Sequence, residues 1–408
     1  MALIVQKYGG SSVKDPAHIK NVARRIVRTK RKKNKVVVVV SALGDTTDIL
    51  LDLAEQITHD PSNREMDMLL STGEQVSVSL LTMAIHELGE RAVSFTGYQV
   101  GIVTDTSHTN ARIVDVNTKK LSNALKKNSI VIVAGFQGKT IDEEITTLGR
   151  GGSDLTAVAL AAALKAKRCE IYTDVDGVFT TDPRIEKQAQ KIDTLSYEEM
   201  LELASLGAQI MQSRSIEVAD KYNVPIYVCN SKNEKPGTLI TREVKKMEKV
   251  LVRGIALNRN EAKITVFGVP DRPGIAATIF KILAERNINV DMIIQNKTVS
   301  NRTDISFTIM KSELRKALPI VKKAAHKVKA KNILIDENIA KLSVVGIGMR
   351  SHTGVAFKLF SALAEKKINI DMISTSEIKI SCIIASKKAR QAVQAIHKKF
   401  NLNKKNKD

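Results

Sequence analysis

The segment LIVQKYGGSSVKDPAH, residues 3–18, decides the fold. A short apolar strand leads to Lys7, a Gly9-Gly10 turn follows, and Ser11-Ser12 lead into a helix. Strand, glycine turn and helix in this order present backbone N–H groups to a phosphate. The lysine stands before the glycines, whereas a P-loop requires G-x-x-x-x-G-K-[ST]. The segment therefore predicts an anion site at the first strand of an α/β domain, but not a P-loop, and the role of Lys7 has to come from the rest of the chain.

Length and composition favour a globular protein of two or three domains. The chain has 408 residues, of which 43% are hydrophobic, and this is ample for packed cores. Its three cysteines, Cys169, Cys229 and Cys382, are far apart and form no C-x-x-C pair, which argues against a zinc ribbon or a disulfide framework. The seven histidines show no metal-ligand spacing, so we expect no metal site made by protein side chains alone.

The formal net charge is +21, from 64 Lys and Arg against 43 Asp and Glu. Lysines are spread along helices and concentrated in basic stretches at 28–35, 322–331 and 398–408. Only 4% of residues are aromatic, none is Trp, and no RNA- or DNA-binding motif is visible. We therefore expect a solvated basic surface without a nucleic-acid partner, one that also attracts substrates with several negative charges.

Nothing in the chain predicts export or a membrane span. The N-terminus runs straight into a strand and a polar loop, unlike a signal peptide. The run VVVVV at 36–40 is short against the roughly 20 apolar residues that a bilayer requires. It is typical of a strand buried on both faces of a parallel sheet, and we expect a cytoplasmic protein with no membrane partner.

Residues 1–242 alternate short apolar strands with helical patterns, which favours an α/β domain with a mostly parallel sheet. The predicted strands are 3–7, 35–41, 92–95, 130–134, 169–174 and 225–229, and predicted helices include 75–88, 155–166 and 197–206. A charged segment, EVKKMEK at 243–249, indicates a linker. We place the first domain at residues 1–245.

An internal repeat follows the linker. DRPGIAATIFKILAERNINVDMI at 271–293 is echoed by SHTGVAFKLFSALAEKKINIDMI at 351–373, with the anchoring glycines 80 residues apart. Each copy shows a β-α-β-β-α pattern close to a ferredoxin-like α+β unit. We place the modules at 262–336 and 341–400. The second copy lacks a final strand, and we expect the strand 250–257, VLVRGIAL, to fold back and complete its sheet.

Four loops of the first domain combine small residues with charge: KYGGSS at 7–12, SALGDTTD at 41–48, TLGRGGSDLTA at 147–157 and TDVDGVFTTDPR at 173–184. Loops that follow parallel strands share one crevice, where ligands of α/β sheets bind. An arginine beside Gly151-Gly152 at a helix start suits an anion. Each stretch alone is also compatible with an ordinary turn or cap, and Glu74 in STGEQ, 71–75, with compensation of the helix dipole.

In this order, these stretches resemble the amino-acid kinase family, and within it the aspartate kinases. The two modules resemble ACT domains, which sense amino acids. The resemblance covers nearly the whole chain. It implies an amino-acid kinase fold, a mostly parallel open sheet between helix layers, followed by two ferredoxin-like ACT modules. It also implies a phosphotransferase that uses ATP and Mg²⁺ to convert L-aspartate to 4-phospho-L-aspartate, the entry to lysine, threonine, methionine and diaminopimelate synthesis.

The resemblance also implies residue roles in the first domain. Lys7 reaches the transferring phosphoryl group and Asp154 organises the lysine, the metal and the phosphates. Glu74 pairs with the substrate ammonium and Arg150 clamps a substrate carboxylate. The remaining implied substrate contacts are Ser41, Thr47, Gly151, Gly152 and Ser153. The implied nucleotide contacts are Lys7, Tyr8, Gly9, Gly10, Ser41, Thr173, Asp174, Phe179, Arg184 and Lys232. Mg²⁺ is held largely by nucleotide oxygens and water.

For the ACT modules, the resemblance implies feedback regulation by lysine, threonine or both. The implied effector contacts are Asp271, Gly274, Ala276, Gln295, Asn369 and Ile370. D-x-P-G is also a plain helix entry, and the second copy reads SHTG instead, so this match is weaker there. The resemblance further implies a homodimer formed through the ACT domains, and Met247 stands where the internal start of a shorter regulatory chain would fall.

Other functions remain open at this point. Another amino-acid kinase, acting on glutamate or on UMP, is disfavoured by the tandem repeat and the TLGRGGSD stretch. A non-catalytic sensor is disfavoured by intact Lys7, Glu74, Arg150 and Asp154. A nucleic-acid-binding protein would be retained on heparin with steep salt dependence that ATP does not alter. A fusion to homoserine dehydrogenase is disfavoured because nothing resembling a dinucleotide-binding domain follows the repeat.

Overall fold

The structure, a computed structural model, describes residues 1–205, 211–242, 251–286, 288–297, 301–350 and 354–404. The chain forms two compact units. The first comprises residues 1–178 and 191–205 and the described residues 211–242, and the second comprises residues 179–190 and the described residues from 251 onward.

The first unit is an α/β domain. Its strands are β1 (Leu3–Tyr8), β2 (Lys35–Val40), β3 (Ala92–Phe95), β4 (Ile102–Thr104), β5 (Ile113–Val116), β6 (Ile130–Ala134), β7 (Gln137–Lys139), β8 (Ile145–Thr147), β9 (Arg168–Thr173), β10 (Thr194–Leu195), β11 (Ile226–Asn230) and β12 (Thr238–Ile240). Its helices are α1 (Pro16–Arg31), α2 (Thr46–Ile57), α3 (Asn63–Leu70), α4 (Thr72–Glu87), α5 (Lys119–Lys126), α6 (Gly152–Ala163), α7 (Tyr197–Ser205) and α8 (Ser213–Tyr222). The strands and helices predicted here are confirmed, with ends that differ by a few residues.

The main sheet has eight strands in the order β10-β12-β11-β9-β1-β2-β6-β3. Every neighbouring pair is parallel except β11 with β12. The run Val36–Val40 is fully buried, as expected for a strand covered on both faces. Val36, Val38 and Val40 pack with the apolar faces of α1 and α4, and α6 contacts β1, β2 and β9. A smaller sheet, β5-β4-β7-β8, was not predicted.

Local chemistry sets the start of α1. Asp15 stands before the helix in an extended conformation, and its side chain accepts a hydrogen bond from the His18 backbone N–H at 2.9 Å. Pro16 occupies the first helical position, where no N–H is needed. The helix then turns Ile19, Val22 and Ile26 into the core. The glycine turn is thus held between a buried strand and a well-anchored helix.

The second unit holds two modules with the same strand order. Its strands are β13 (Gly254–Asn258), β14 (Glu261–Pro270), β15 (Ile293–Lys297), β16 (Arg302–Met310), β17 (Asn332–Asp336), β18 (Ile339–Val345), β19 (Met372–Thr375) and β20 (Lys379–Ala385). Its helices are α9 (Ile275–Ala284), α10 (Lys311–Lys327), α11 (Val355–Ala364) and α12 (Ala389–Lys399). The sheets run β15-β16-β14-β17 and β13-β18-β20-β19. β13, which precedes the first module, therefore supplies the edge strand of the second.

The two modules exchange ion pairs. Lys263, in the first strand of module one, lies 3.5 Å from Asp371 of module two. Lys341, in the first long strand of module two, pairs with Asp291 of module one and lies 2.7 Å from Glu261. The Lys341 and Glu261 side chains are each only 3% exposed. The repeat in sequence thus produces reciprocal lysine–aspartate contacts, and the Lys341–Glu261 pair beside one of them is buried.

Residues 179–190 pack with the second unit although their chain neighbours on both sides belong to the first. The Thr180 carbonyl accepts a hydrogen bond from the Ile255 N–H at 2.7 Å, and its hydroxyl lies 2.9 Å from Nε2 of His397 on α12. Ile185 packs on the core of module two. The sequence prediction placed these residues in the first domain, at 1–245, and by their contacts they group with the second unit.

Among the described residues, the run Asn63–Glu87 has the length and apolar composition of a membrane span. Half of that run is buried inside the protein, and core helices show the same composition. Ser71 separates it into α3 and α4.

Candidate active site

The carboxyl ends of four adjacent parallel strands meet at one edge of the main sheet. Tyr8 at the end of β1 is level with Val40 of β2 and Tyr172 of β9, and Tyr172 is level with Cys229 of β11. The stretches KYGGSS, SALGD, TDVDG and NSK leave the sheet at this edge. Ligands of open α/β sheets bind at such an edge, so the sequence loops are brought to one place.

Lys7 forms an ion pair at this edge. Its Nζ lies 2.7 Å from Oδ1 of Asp154, in the first turn of α6, and the two side chains are only 14% and 8% exposed. The aspartate orients the ammonium group, which remains at the glycine turn with donors to spare. A held cation beside backbone N–H groups and a helix N-terminus is suited to developing charge on a phosphoryl group.

The glycine turn and the loop after β2 approach each other through their backbones. A Cβ on Gly10 would lie 2.8 Å from the carbonyl oxygens of both Ala42 and Gly44. The Gly44 N–H donates to the Gly10 carbonyl at 3.2 Å, and the Ser41 N–H donates to Tyr8 at 3.1 Å. Only glycine fits this contact, which explains why the second glycine of the motif is required.

Glu74 lies in the first turn of α4 and is 3% exposed. Its Oε1 accepts a hydrogen bond from the Ala42 N–H at 3.3 Å, whereas Oε2 is buried and has no hydrogen-bond partner among the described residues. Burial raises the pKa of the Glu74 carboxyl to about 8. A cationic group placed beside this carboxyl would favour its ionised form.

The glycine-rich loop after β8 opens α6. Gly151 adopts φ 76° as the residue before the helix, a conformation that favours glycine. Ser153 is buried, and a Cβ on Gly135 would lie 2.6 Å from its Oγ. Gly152 follows Gly151 as the first residue of the helix. The loop therefore fits closely against the end of β6.

Arg150, on this loop, is 92% exposed, and its guanidinium lies 4.0 Å from Asp48. A pair at this distance and exposure is weak, so the guanidinium is available to a ligand. The sequence prediction placed Ser41 and Thr47 in one loop. Ser41 lies in the loop after β2, whereas Thr47 lies in the first turn of α2.

Two polar residues that sequence reasoning missed hold this loop. The Gln212 side chain donates to the Arg150 carbonyl at 2.9 Å, and its backbone N–H lies 3.4 Å from Asp154 Oδ2. Arg214 donates to the Leu148 and Ala111 carbonyls at 2.8 and 2.7 Å. Gln212 stands just before α8 and Arg214 lies in its first turn, and no local sequence signal distinguishes either residue.

A third missed feature is Phe136. It has φ 68°, an uncommon conformation for a residue with a large side chain, at the end of β6. Its N–H donates to the Thr156 hydroxyl at 3.1 Å, and its carbonyl accepts from the Leu148 N–H at 2.8 Å. Strain of this kind concentrates at ligand sites.

The predicted nucleotide contacts fall into two groups. Thr173 and Asp174 follow β9, and the Thr173 carbonyl accepts from the Ser231 N–H at 2.8 Å, which places Lys232 nearby in the chain that follows β11. Phe179 and Arg184 belong to residues 179–190 of the second unit. Arg184 is 91% exposed and forms a forked contact with Asp182 at 2.8 and 3.0 Å.

The side chain of Tyr8, one of the predicted nucleotide contacts, lies in the core. Its ring is fully buried and stacks on Tyr172, with centroids 4.6 Å apart and planes at 3°. Burial raises the pKa of its hydroxyl well above the usual value, so the hydroxyl stays neutral. The side chain therefore belongs to the packed core. Gly9, next to it, lies beside the Lys7 ammonium.

The candidate effector residues lie in the second unit. Gly274 precedes α9 and Gly354 precedes α11, both with φ 91°, so the two copies share one backbone turn. Asp271 and Gln295 are exposed, Ala276 is half-buried in α9, and Ile370 packs partly on the core of module two. Asn369 donates to Asp371 at 3.4 Å. Met247 and Ser351–Thr353 of the SHTG stretch lie outside the described residues.

Three cysteines in the described part of the chain are free and buried. Within the same residues, no group of three His, Cys, Asp or Glu side chains is arranged to hold a metal ion.

Comparisons with known proteins agree with this architecture. Residues 2–230 match the amino acid kinase family, and residues 263–326 and 342–400 each match an ACT domain. The aspartate kinase of Pseudomonas putida is 52% identical over 404 residues, which cover 99% of this chain and 98% of that protein.

Two solved structures are similar over nearly the full length. E. coli aspartokinase III in complex with aspartate and ADP has a TM-score of 0.81 and 26% identity, covering 97% of this chain and 99% of that one. The same enzyme in complex with lysine and aspartate has a TM-score of 0.77 and 27% identity, covering 98% and 99%.

Proposed function

The chain belongs to the aspartate kinase family of amino acid kinases, and from this premise we propose that it transfers the γ-phosphoryl group of ATP to the side-chain carboxylate of L-aspartate. The product is 4-phospho-L-aspartate, at the start of lysine, threonine and methionine synthesis. The observation that carries the assignment is the Lys7–Asp154 pair at the glycine turn, in a domain that also holds the buried, unpartnered Oε2 of Glu74.

The protein need not form a covalent bond to either substrate in this reaction, because positioning and electrostatic stabilisation provide most of the catalysis. The nucleophile is a carboxylate, already ionised at neutral pH since an unperturbed Asp has a pKa of about 3.9, so no general base is needed. The obstacle is repulsion between the carboxylate and the triphosphate. Lys7 and the backbone N–H groups of Gly9 and Gly10 offset it, and they do so most strongly as charge builds on the transferring group. Asp154 keeps the Lys7 ammonium in place.

Substrate recognition follows from two opposite charges. Glu74 pairs with the α-ammonium group, which supplies the cation that its buried carboxylate lacks. The exposed fork of Arg150 binds a substrate carboxylate with two parallel hydrogen bonds. Ser41, Thr47, Gly151, Gly152 and Ser153 complete the binding surface around them.

Nucleotide binding uses the edge of the sheet. Thr173, Asp174 and Lys232 lie at the ends of β9 and β11, and Phe179 and Arg184 follow along the chain. Mg²⁺ fits this donor set, because it takes oxygen ligands and keeps several waters, and the carboxylates of Asp154 and Asp174 are of the required kind. When bound, the ion neutralises phosphate charge while nucleotide oxygens and water hold it.

We assign catalysis to residues 1–245 and regulation to the ACT modules 262–336 and 341–400, with strand 250–257 serving the second. A relative has been solved with lysine bound, and we propose lysine, threonine or both as the effector of this chain, with contacts at Asp271, Gly274, Ala276, Gln295, Asn369 and Ile370. We also propose a cytoplasmic homodimer formed through the ACT modules, joined in some assemblies by a shorter regulatory chain that starts near Met247, without nucleic-acid or membrane partners.

The test is turnover of ATP with L-aspartate, Mg²⁺ and hydroxylamine, which traps the acyl phosphate as a coloured hydroxamate. We expect aspartate-dependent hydroxamate that the Lys7→Ala variant does not form. Suppression by lysine plus threonine would support the regulatory assignment. A folded chain that binds ATP and yields no hydroxamate with aspartate, but does so with glutamate, would contradict the proposed substrate.

A further inference from the structure

Asp67, in α3, is a fully buried carboxylate outside all of the motifs above. It accepts a hydrogen bond from the Thr147 hydroxyl at 2.5 Å and from the Thr109 N–H at 3.0 and 3.1 Å to its two oxygens. His108 Nδ1 lies 2.7 Å from Oδ2. Burying a carboxylate is costly unless it is fully bonded, and here four contacts meet that cost.

These contacts join the two segments that carry the candidate substrate charges. Thr147 is the last residue of β8, and the glycine-rich loop with Arg150 begins immediately after it. Asp67 lies one turn before Ser71, where α3 gives way to α4 and Glu74.

A second contact supports the same docking. The Gln137 side chain of β7 donates to the Ser71 carbonyl at 2.9 Å, and Gln137 is paired with Thr147 in the β7–β8 hairpin. The start of α4 is therefore fixed to this hairpin at two points, and Asp67–Thr147 is the charged one.

From this arrangement we infer that Asp67 is a positioning residue that sets the spacing between Glu74 and Arg150, and with it the length of amino acid that the site accepts. Asp67 does not contact the substrate. Through the Thr147 hydroxyl it holds the entry of the Arg150 loop against the helix that carries Glu74. A fixed spacing between an ammonium partner and a carboxylate partner favours a short acidic amino acid over one with an additional methylene. This inference rests on the proposed function.

The experiment compares two neighbouring buried threonines. Thr147→Val removes the hydroxyl that binds Asp67 and keeps the side-chain shape. Thr146→Val is the matched control, because Thr146 is equally buried in β8 but its hydroxyl lies 2.6 Å from that of Thr104 instead. Thr147→Ser restores the hydroxyl. The readouts are KM for aspartate, KM for ATP, the aspartate-to-glutamate ratio of kcat/KM, and Tm.

We expect Thr147→Val to raise KM for aspartate about tenfold or more, as the loss of a hydrogen bond to a charged group implies. The ratio of kcat/KM for aspartate over glutamate should fall, KM for ATP should stay within about twofold, and Thr147→Ser should restore wild-type values. Both valine variants should lower Tm, and Thr147→Val should do so more strongly because its hydroxyl binds a charged group.

Equal effects of Thr147→Val and Thr146→Val on KM for aspartate and on the substrate ratio would overturn the inference and leave an active wild type, and thus the proposed function, intact. A shift in KM for ATP as large as that for aspartate would also overturn it. A wild-type chain without aspartate-dependent turnover would overturn the proposed function and this inference with it.

Discussion

The ammonium group of Lys7 lies 2.7 Å from the carboxylate of Asp154, so a strand residue before the glycine turn is paired with a helix residue more than a hundred positions later. The pair answers the question that the first segment of the sequence raises. A lysine that precedes the glycines is held by the Asp154 carboxylate, and its ammonium group lies beside the glycine turn. Replacing either partner should therefore affect catalysis more than folding.

Lys7→Ala should lower kcat by about 10³-fold, in the range measured when one donor to a transition-state anion is removed. Lys7→Arg keeps the charge but not the compact ammonium, and should recover only part of the rate. The hydroxamate assay measures both, and circular dichroism checks that each variant is folded. Retention of kcat within about tenfold in Lys7→Ala would show that another group stabilises the phosphoryl transfer.

Glu74 should make aspartate binding depend on pH. Its carboxyl has a pKa of about 8 in the free protein, and only the ionised form pairs with the substrate ammonium. KM for aspartate should therefore fall as pH rises from about 6.5 to 8.5, by up to about tenfold per pH unit below the pKa. Binding below pH 8 should release a proton, which calorimetry in buffers of different ionisation enthalpy detects.

Glu74→Gln removes the titrating group and should raise KM for aspartate by about 10- to 100-fold, with little change of this value across pH. Glu87→Gln, at the exposed end of the same helix, is the control and should behave as wild type. A Glu74→Gln variant with the pH profile of the wild type would exclude Glu74 as the ammonium partner.

The two glycines of the turn should differ in tolerance. Gly10→Ala places a Cβ 2.8 Å from two backbone carbonyl oxygens, and the loop 41–44 must move. We expect a loss of about 1–3 kcal/mol of unfolding free energy and a lower kcat. At Gly9, where φ is −73° and the nearest atom is 3.5 Å away, alanine fits. Thermal unfolding and kcat distinguish the two, and equal destabilisation would mean that the close approach at Gly10 is not what the site requires.

Lys341 should contribute strongly to the second unit. It is buried between Glu261 and Asp291, and burial raises the pKa of the Glu261 carboxyl. Lys341→Met leaves these carboxylates without their cation and should cost about 3–5 kcal/mol of unfolding free energy, whereas a double Lys341→Met, Glu261→Leu variant should regain much of it. Lys263→Met breaks the more exposed pair with Asp371 and should cost under about 1 kcal/mol. Denaturant-induced unfolding of the second unit measures the free energy of unfolding of all three variants. A double variant no more stable than Lys341→Met alone would contradict the argument.

The sequence was informative where one pattern determines one structure. VVVVV predicts a strand covered on both faces, because the run is short and every residue in it is β-branched. Val36–Val40 are buried as expected. The Gly9-Gly10 doublet predicts a turn between a strand and a helix, and it lies between β1 and α1. The 80-residue repeat predicts two modules of one fold, and their sheets have the same strand order.

What the sequence did not show depends on contacts between distant residues. The strands Gln137–Lys139 and Ile145–Thr147 are too short and too polar to display a period, so the small sheet was missed. Asp67 stands in NREMDMLL, where one more acidic residue on a helix gives no sign of burial. From its position at the start of a helix, Glu74 is compatible with compensation of the helix dipole. Its burial could not be predicted, because burial is a property of the packed chain and not of local spacing.

The chain cannot be divided into its two units at a single point, because residues 179–190 belong to the second unit and residues 191–205 to the first. A protein synthesised from Met247 onward would lack Thr180, the partner of the buried His397, and Ile185, which covers part of the core of module two. Such a fragment would expose an apolar patch and an imidazole whose pKa burial has lowered. A shorter regulatory chain would therefore be less stable than the same residues in the full-length protein. It would lack the twelve-residue segment 179–190, which packs on this unit in the longer chain.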